Sequence, residues 1–79
     1  MKKYITIVDP QGATLGYGGP FVPISHRVLA EKGEFHGFES VQKLFSSMQE
    51  MAQVLTQIAA QGAGATGSIR NLTWTVELG

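Results

Sequence analysis

The side chains with the best claim to chemistry are two histidines and the carboxylates near them. His26 and His36 are the only histidines in the chain. Across a hairpin centred on Gly33 they would face one another, and Glu34 would share a face with His36. Two imidazoles and a carboxylate form a donor set for zinc or a related metal. Such sites usually carry a short-spaced ligand pair such as HxxxH, and this chain has none. Exposed histidines on strands are the plainer account, so the expectation is no metal and no cofactor.

Nucleophilic catalysis needs a hydroxyl or thiol, a base beside it and a group to orient the base. Ser25 precedes His26, but Asp9 is distant in sequence and no strained GxSxG turn is present. Glu31 and Glu34 flank a turn, where they read as solvating charges rather than an acid–base pair. A chain of 79 residues also leaves little volume for a water-excluding pocket. No catalytic residue is assigned, and the expectation is a protein that is not an enzyme.

Gly62-Ala63-Gly64-Ala65-Thr66-Gly67 has the letters of a dinucleotide fingerprint. That motif works only after a strand and before a helix, whose N-terminus meets the pyrophosphate. Here a helical pattern precedes it and a strand pattern follows, so it reads as a return loop. Asn71-Leu72-Thr73 matches a glycosylation sequon inside an expected strand and is read as chance. Met48, Met51 and Trp74 read as core residues before they read as a ligand groove or a base-stacking platform.

The element that must organise the chain is Ser40 to Gln61. Val41, Leu44, Met48, Met51, Leu55 and Ile58 recur every three or four residues, and Phe45, Ala52 and Ala59 widen the stripe. This predicts one long amphipathic helix, with Ser40 as N-cap, Gly62 just past its end and Val54 off the stripe. Before it, Tyr4 to Val8 reads as a strand. Asp9-Pro10-Gln11-Gly12 reads as a type I turn, and Ala13 to Tyr17 as the returning strand. The glycines and prolines from Gly16 to Pro23 predict a loop carrying Tyr17, Phe21 and Val22. Ser25 to Ala30 fits a short helix ending at Gly33 or a strand turning there. The strand is preferred, because a helix would put His26 and Arg27 at its positive end. Glu34 to Phe38 returns, bent at Gly37. After a small-residue linker from Gly62 to Gly67, the alternation of Ile69 to Leu78 predicts a strand with one covered face. The fold class expected is α+β over a single domain, residues 1–79: a small antiparallel or mixed sheet with one long helix packed on one face.

Six basic residues balance six acidic ones, without clustering. A nucleic-acid binder usually shows a basic stripe, so nucleic acid is not the expected partner. Only 15% of residues are charged, which leans toward contact with protein. There is no cysteine to staple so small a core, so either the core is unusually well packed or a partner chain covers part of it. The apolar run Tyr4 to Val8 is too short for an export signal, and no stretch is long enough to span a membrane. The expected location is cytoplasmic. The expected partner is a protein, contacted through the aromatic and apolar side chains between Tyr17 and Phe38. The residues assigned to that contact are Tyr17, Phe21, Val22, His26, Arg27, Phe35 and His36.

In length and in the order of its elements along the whole chain, the sequence resembles the small inhibitor proteins encoded by bacteriophages and mobile elements, anti-CRISPR proteins among them. The resemblance implies stoichiometric blocking of a host defence complex, by occluding a site or preventing a partner from docking. Many such inhibitors are acidic mimics of nucleic acid. This chain has no net charge, so the resemblance implies action by shape and apolar contact. A monomer or homodimer fits the inhibitor class. The alternative class, expected as a stable high-order oligomer, is a structural or assembly role as a homo-oligomeric phage component. That class draws on the exposed strand edges of a small open sheet.

Overall fold

Strand β1 (Lys3–Thr14) is the middle of the fold, and every other element is placed relative to it. In the computed structural model, which describes all 79 residues, it is flanked by β2 (Phe21–Glu31) and β5 (Leu72–Leu78). Short outer strands β3 (Glu34–His36) and β4 (Thr66–Ile69) complete a five-stranded sheet of order β3-β2-β1-β5-β4. Every pairing is antiparallel.

The alternation of β1 decides which face is covered. Ile5 and Ile7 point to one side and are buried. Ile5 lies opposite Val28 on β2 and Val76 on β5, and all three are fully buried. The neighbouring row runs His26, Ile7, Trp74 and Gly67 across four strands. Against these rows pack Val41, Phe45, Met51, Leu55 and Ile58. Eleven of the 79 residues are buried, so the core is one thin layer between a sheet and the helical segment.

The α+β class and the single covered face are as the alternating pattern implied, but the single long helix is not. The segment divides into α1 (Glu39–Gln42) and α2 (Met48–Ala59). Ser47 is extended, at φ −159° and ψ 163°, and its hydroxyl accepts the Glu50 N–H at 3.0 Å. The Glu50 carboxylate reaches back and accepts the Ser46 N–H at 3.1 Å. This is a Ser-x-x-Glu capping arrangement, so Ser47 is the N-cap of α2, whereas Ser40 lies inside α1, whose N-cap is Phe38. The break lets Phe45 turn into the core, whereas Met48, on the stripe of a continuous helix, is 49% exposed. Ala52 is exposed too, and Val54, off that stripe, packs half-buried against the core.

The expected turn at Asp9–Gly12 is also corrected. β1 runs through it to Thr14 with a bulge: Asp9 faces Ile24 and Ala13 faces Val22. The Asp9 carboxylate accepts the Gln11 N–H at 3.1 Å, so the local turn chemistry is spent on the bulge. The reversal lies at Leu15–Pro20, where the Leu15 N–H donates to the Pro20 carbonyl at 3.1 Å. Ala13 and Thr14 therefore end β1, and Phe21 and Val22, expected in a loop, begin β2. Pro23 is tolerated there because β3 pairs only with Leu29–Glu31, leaving no outer neighbour to miss its N–H.

Ser25 to Ala30 is strand, and the hairpin at Gly33 is a two-residue turn with both Lys32 and Gly33 at positive φ. The single C-terminal strand expected from Ile69 is instead the hairpin β4–β5, turning at Arg70-Asn71. The expected linker thus contributes Thr66 and Gly67 to β4.

Candidate functional site

Beyond the Asp9–Ile24 pair, β1 and β2 leave the helical layer behind and continue as a two-stranded arm. The molecule measures 42 × 25 × 19 Å, with a radius of gyration of 13.0 Å, longer than the roughly 12 Å expected of a globule this size. No residue between Val8 and His26 is buried. Nor is any residue from Pro10 to Ser25 charged, so the arm meets water with an uncharged surface. Leu15, Tyr17 and Phe21 project from it at 65%, 109% and 60% exposure. Exposed rings on an element that supports nothing in the core are a recognised form of contact residue. Pro10, Pro20 and Pro23 remove backbone donors from the arm, which discourages strand addition and leaves its side chains to make contact.

Of the residues assigned from sequence, Tyr17 and Phe21 lie on this arm and Val22 is half-buried beside them. The other four are elsewhere. His26 faces the helices and is 9% exposed. Phe35 is on the same face, half-buried against the core. Arg27 and His36 lie on the opposite, uncovered face, as does Glu34, whose carboxylate sits 3.5 Å from His36 Nε2. The seven therefore do not form one patch. Leu15 was missed by sequence reasoning. The signal that finds it, with the whole arm, is the uncharged run.

The chemical pairings weighed from sequence are not assembled. His26 and His36 are on opposite faces, because Leu29 and not His26 is opposite His36. Ser25 and His26 are neighbours on a strand and point to opposite sides. No three His, Cys, Asp or Glu residues come together.

The uncovered face carries a polar lattice. Arg27 stacks over the Tyr4 ring at 4.0 Å, and the Thr6 hydroxyl donates to Glu77 at 2.6 Å. A shallow cleft of about 390 Å³ lies beside the end of α2, between Lys3, Glu31 and Phe35. Its ammonium group is already engaged: Lys3 donates to the carbonyls of Ala59 and Gln61 at 3.0 and 3.1 Å, capping α2. A second groove of about 270 Å³ runs between α2 and β4 and is lined without charge.

No protein-family model, curated protein or solved structure matches the chain. The arm and the two grooves are the surface features with room or apolar groups for a partner. Of the three, the arm has the largest exposed apolar side chains. No helix is long and apolar enough to cross a membrane.

Proposed function

We propose that the protein is a non-catalytic binding protein that docks on a host protein complex through the β1–β2 arm and blocks it stoichiometrically, in the manner of phage-encoded inhibitors of the anti-CRISPR type. On this reading it acts in the cytoplasm of the host cell. The observation that carries the proposal is the arm itself: Leu15, Tyr17 and Phe21 are displayed on a projecting hairpin without a charge from Pro10 to Ser25. Such a surface suits an apolar recess on a partner and offers nothing to neutralise phosphate. The absence of net charge favours contact by shape over mimicry of nucleic acid.

The test is capture of a partner from the native host with the tagged 79-residue chain, repeated with Tyr17→Asp and Phe21→Asp. Neither side chain supports the core, so both variants keep the parent's circular dichroism and stability. A stoichiometric partner retained by the parent and released by the folded variants supports the reading. Equal capture by all three would sink it.

A further inference from the structure

β4 is a sheet edge whose own four residues carry none of the usual defences. β2 is also open from Ile24 to Val28 but bears Arg27 there. The charge nearest β4 is Arg70 in its turn, whose guanidinium is held by Leu44 and Glu50. The opposite edge, β3, is three residues long and carries Glu34 and His36, with Lys32 at its turn. The arm edges are interrupted by Pro10 and Pro23. β4 reads Thr-Gly-Ser-Ile, without charge or proline, and ends the strand order with no neighbour outside it. Ile69 and Leu72 close its two-residue turn and exchange backbone bonds, as does the Gly67–Trp74 pair. By alternation the N–H and C=O groups of Thr66 and Ser68 face outward, unpaired by any strand.

We infer that this edge pairs with the same edge of a second copy, forming a two-fold dimer with one continuous sheet. Antiparallel pairing about Gly67 sets Thr66 of one copy opposite Ser68 of the other, so each outward donor meets an acceptor. Gly67 then falls at the axis, in the non-hydrogen-bonded position where strands approach most closely. It has no side chain of its own, and on the covered face the Trp74 indole lying over it comes next to the axis. The groove beside the edge is self-complementary as well. Val54, Ile58, Ile69 and Trp74 form its apolar part and Gln57 and Gln61 its polar part. A two-fold axis brings a side chain near its own image. A charge there would meet a like charge, whereas a glutamine amide carries both donor and acceptor and can pair with itself. A neutral molecule adds no long-range repulsion between copies. The dimer covers Trp74 and leaves both arms free, so it stands independently of the arm's proposed role.

The experiment is sedimentation equilibrium of the full chain, with Trp74 emission followed across the same concentrations. The expected result is a mass of twice 8.5 kDa and a blue shift of emission as the dimer forms. Ser68→Pro removes an outward donor, and Gln57→Glu places like charges across the axis. Both should remain monomeric, with the parent's circular dichroism and without the emission shift. If Ser68→Pro does not fold, Gln57→Glu alone decides, since Gln57 is an exposed helix residue. A monomer at every concentration overturns the inference. So does a dimer that persists in the folded variants, or one abolished by Tyr17→Asp and kept by Gln57→Glu.

Discussion

Gly67 lies directly opposite Trp74 in the β4–β5 ladder, and the indole occupies the space that a Cβ at position 67 would need. The glycine therefore exists for the ring, which caps the strand and fills the edge of the core. Gly67→Ala should overpack this contact and destabilise the fold by about 1–3 kcal/mol. At Gly62 no atom lies within 4 Å of where a Cβ would sit, and φ is not positive, so Gly62→Ala should be neutral or stabilising by up to about 1 kcal/mol. Urea unfolding read from Trp74 fluorescence compares the two. Equal stability of both variants would refute the packing account.

Arg70 ties the break between the helices to the hairpin below it. Its guanidinium donates to the Leu44 carbonyl at 2.8 Å, lies 3.5 Å from the Glu50 carboxylate and stands 5.5 Å over the Phe45 ring. Its own backbone has φ +54°, which asparagine tolerates. Arg70→Asn should therefore remove the tie without adding backbone strain, at a cost of about 1 kcal/mol. Hydrogen exchange should rise at the amides from Leu44 to Ser47 and stay unchanged in β1. Unchanged exchange in that linker would show that the tie does not hold it.

The Ser46 backbone N–H bonded to Glu50 holds its carboxyl below the ordinary value of 4.5, and the Arg70 guanidinium assists. The unfolded chain has the ordinary value, so on acidification it takes up this proton first. The contribution of Glu50 is thus complete above 4.5 and is lost as pH falls through the lower, folded value. Glu50→Gln keeps an acceptor for Ser46 but does not titrate. Its melting temperature should fall less steeply than the parent's over that acid range, and parallel curves would contradict this assignment.

The arm should be dispensable for folding. Replacing Pro10–Pro23 by an Asn-Gly turn retains the Asp9–Ile24 pair and every buried residue. Stability should stay within about 1 kcal/mol of the parent, because the deleted residues support nothing in the core. Partner capture should be lost. Calorimetry and the host pull-down read the two effects separately, and a truncated chain that fails to fold would give the arm a structural role.

Period and punctuation, both local properties, made much of this fold legible. The alternation of Leu72, Trp74 and Val76 identified a strand with one covered face, the β-branched run from Tyr4 to Val8 identified a strand, and Gly33 marked its hairpin correctly. The stripe from Val41 to Ile58 identified the helical layer but not its break. Phe45 and Met48 satisfy the same period, and only the sheet beneath decides which one is buried. The Ser47–Glu50 cap was present in the letters, yet a stronger periodic signal overrode it. At the candidate site, the sequence supplied Tyr17 and Phe21 as exposed apolar residues within an irregular stretch. It did not supply the arm, because Asp9-Pro10-Gln11-Gly12 makes a turn and a bulge equally well, and pairing with Ile24 and Val22 selects the bulge. Nor did it separate His26 from His36, since a strand residue's face is set by register with its neighbours. Composition and local period thus determined the class of fold and its covered face. Long-range pairing decided where the chain reverses, which helix positions are buried and which side chains reach the surface, because those outcomes depend on contacts between residues far apart in the chain.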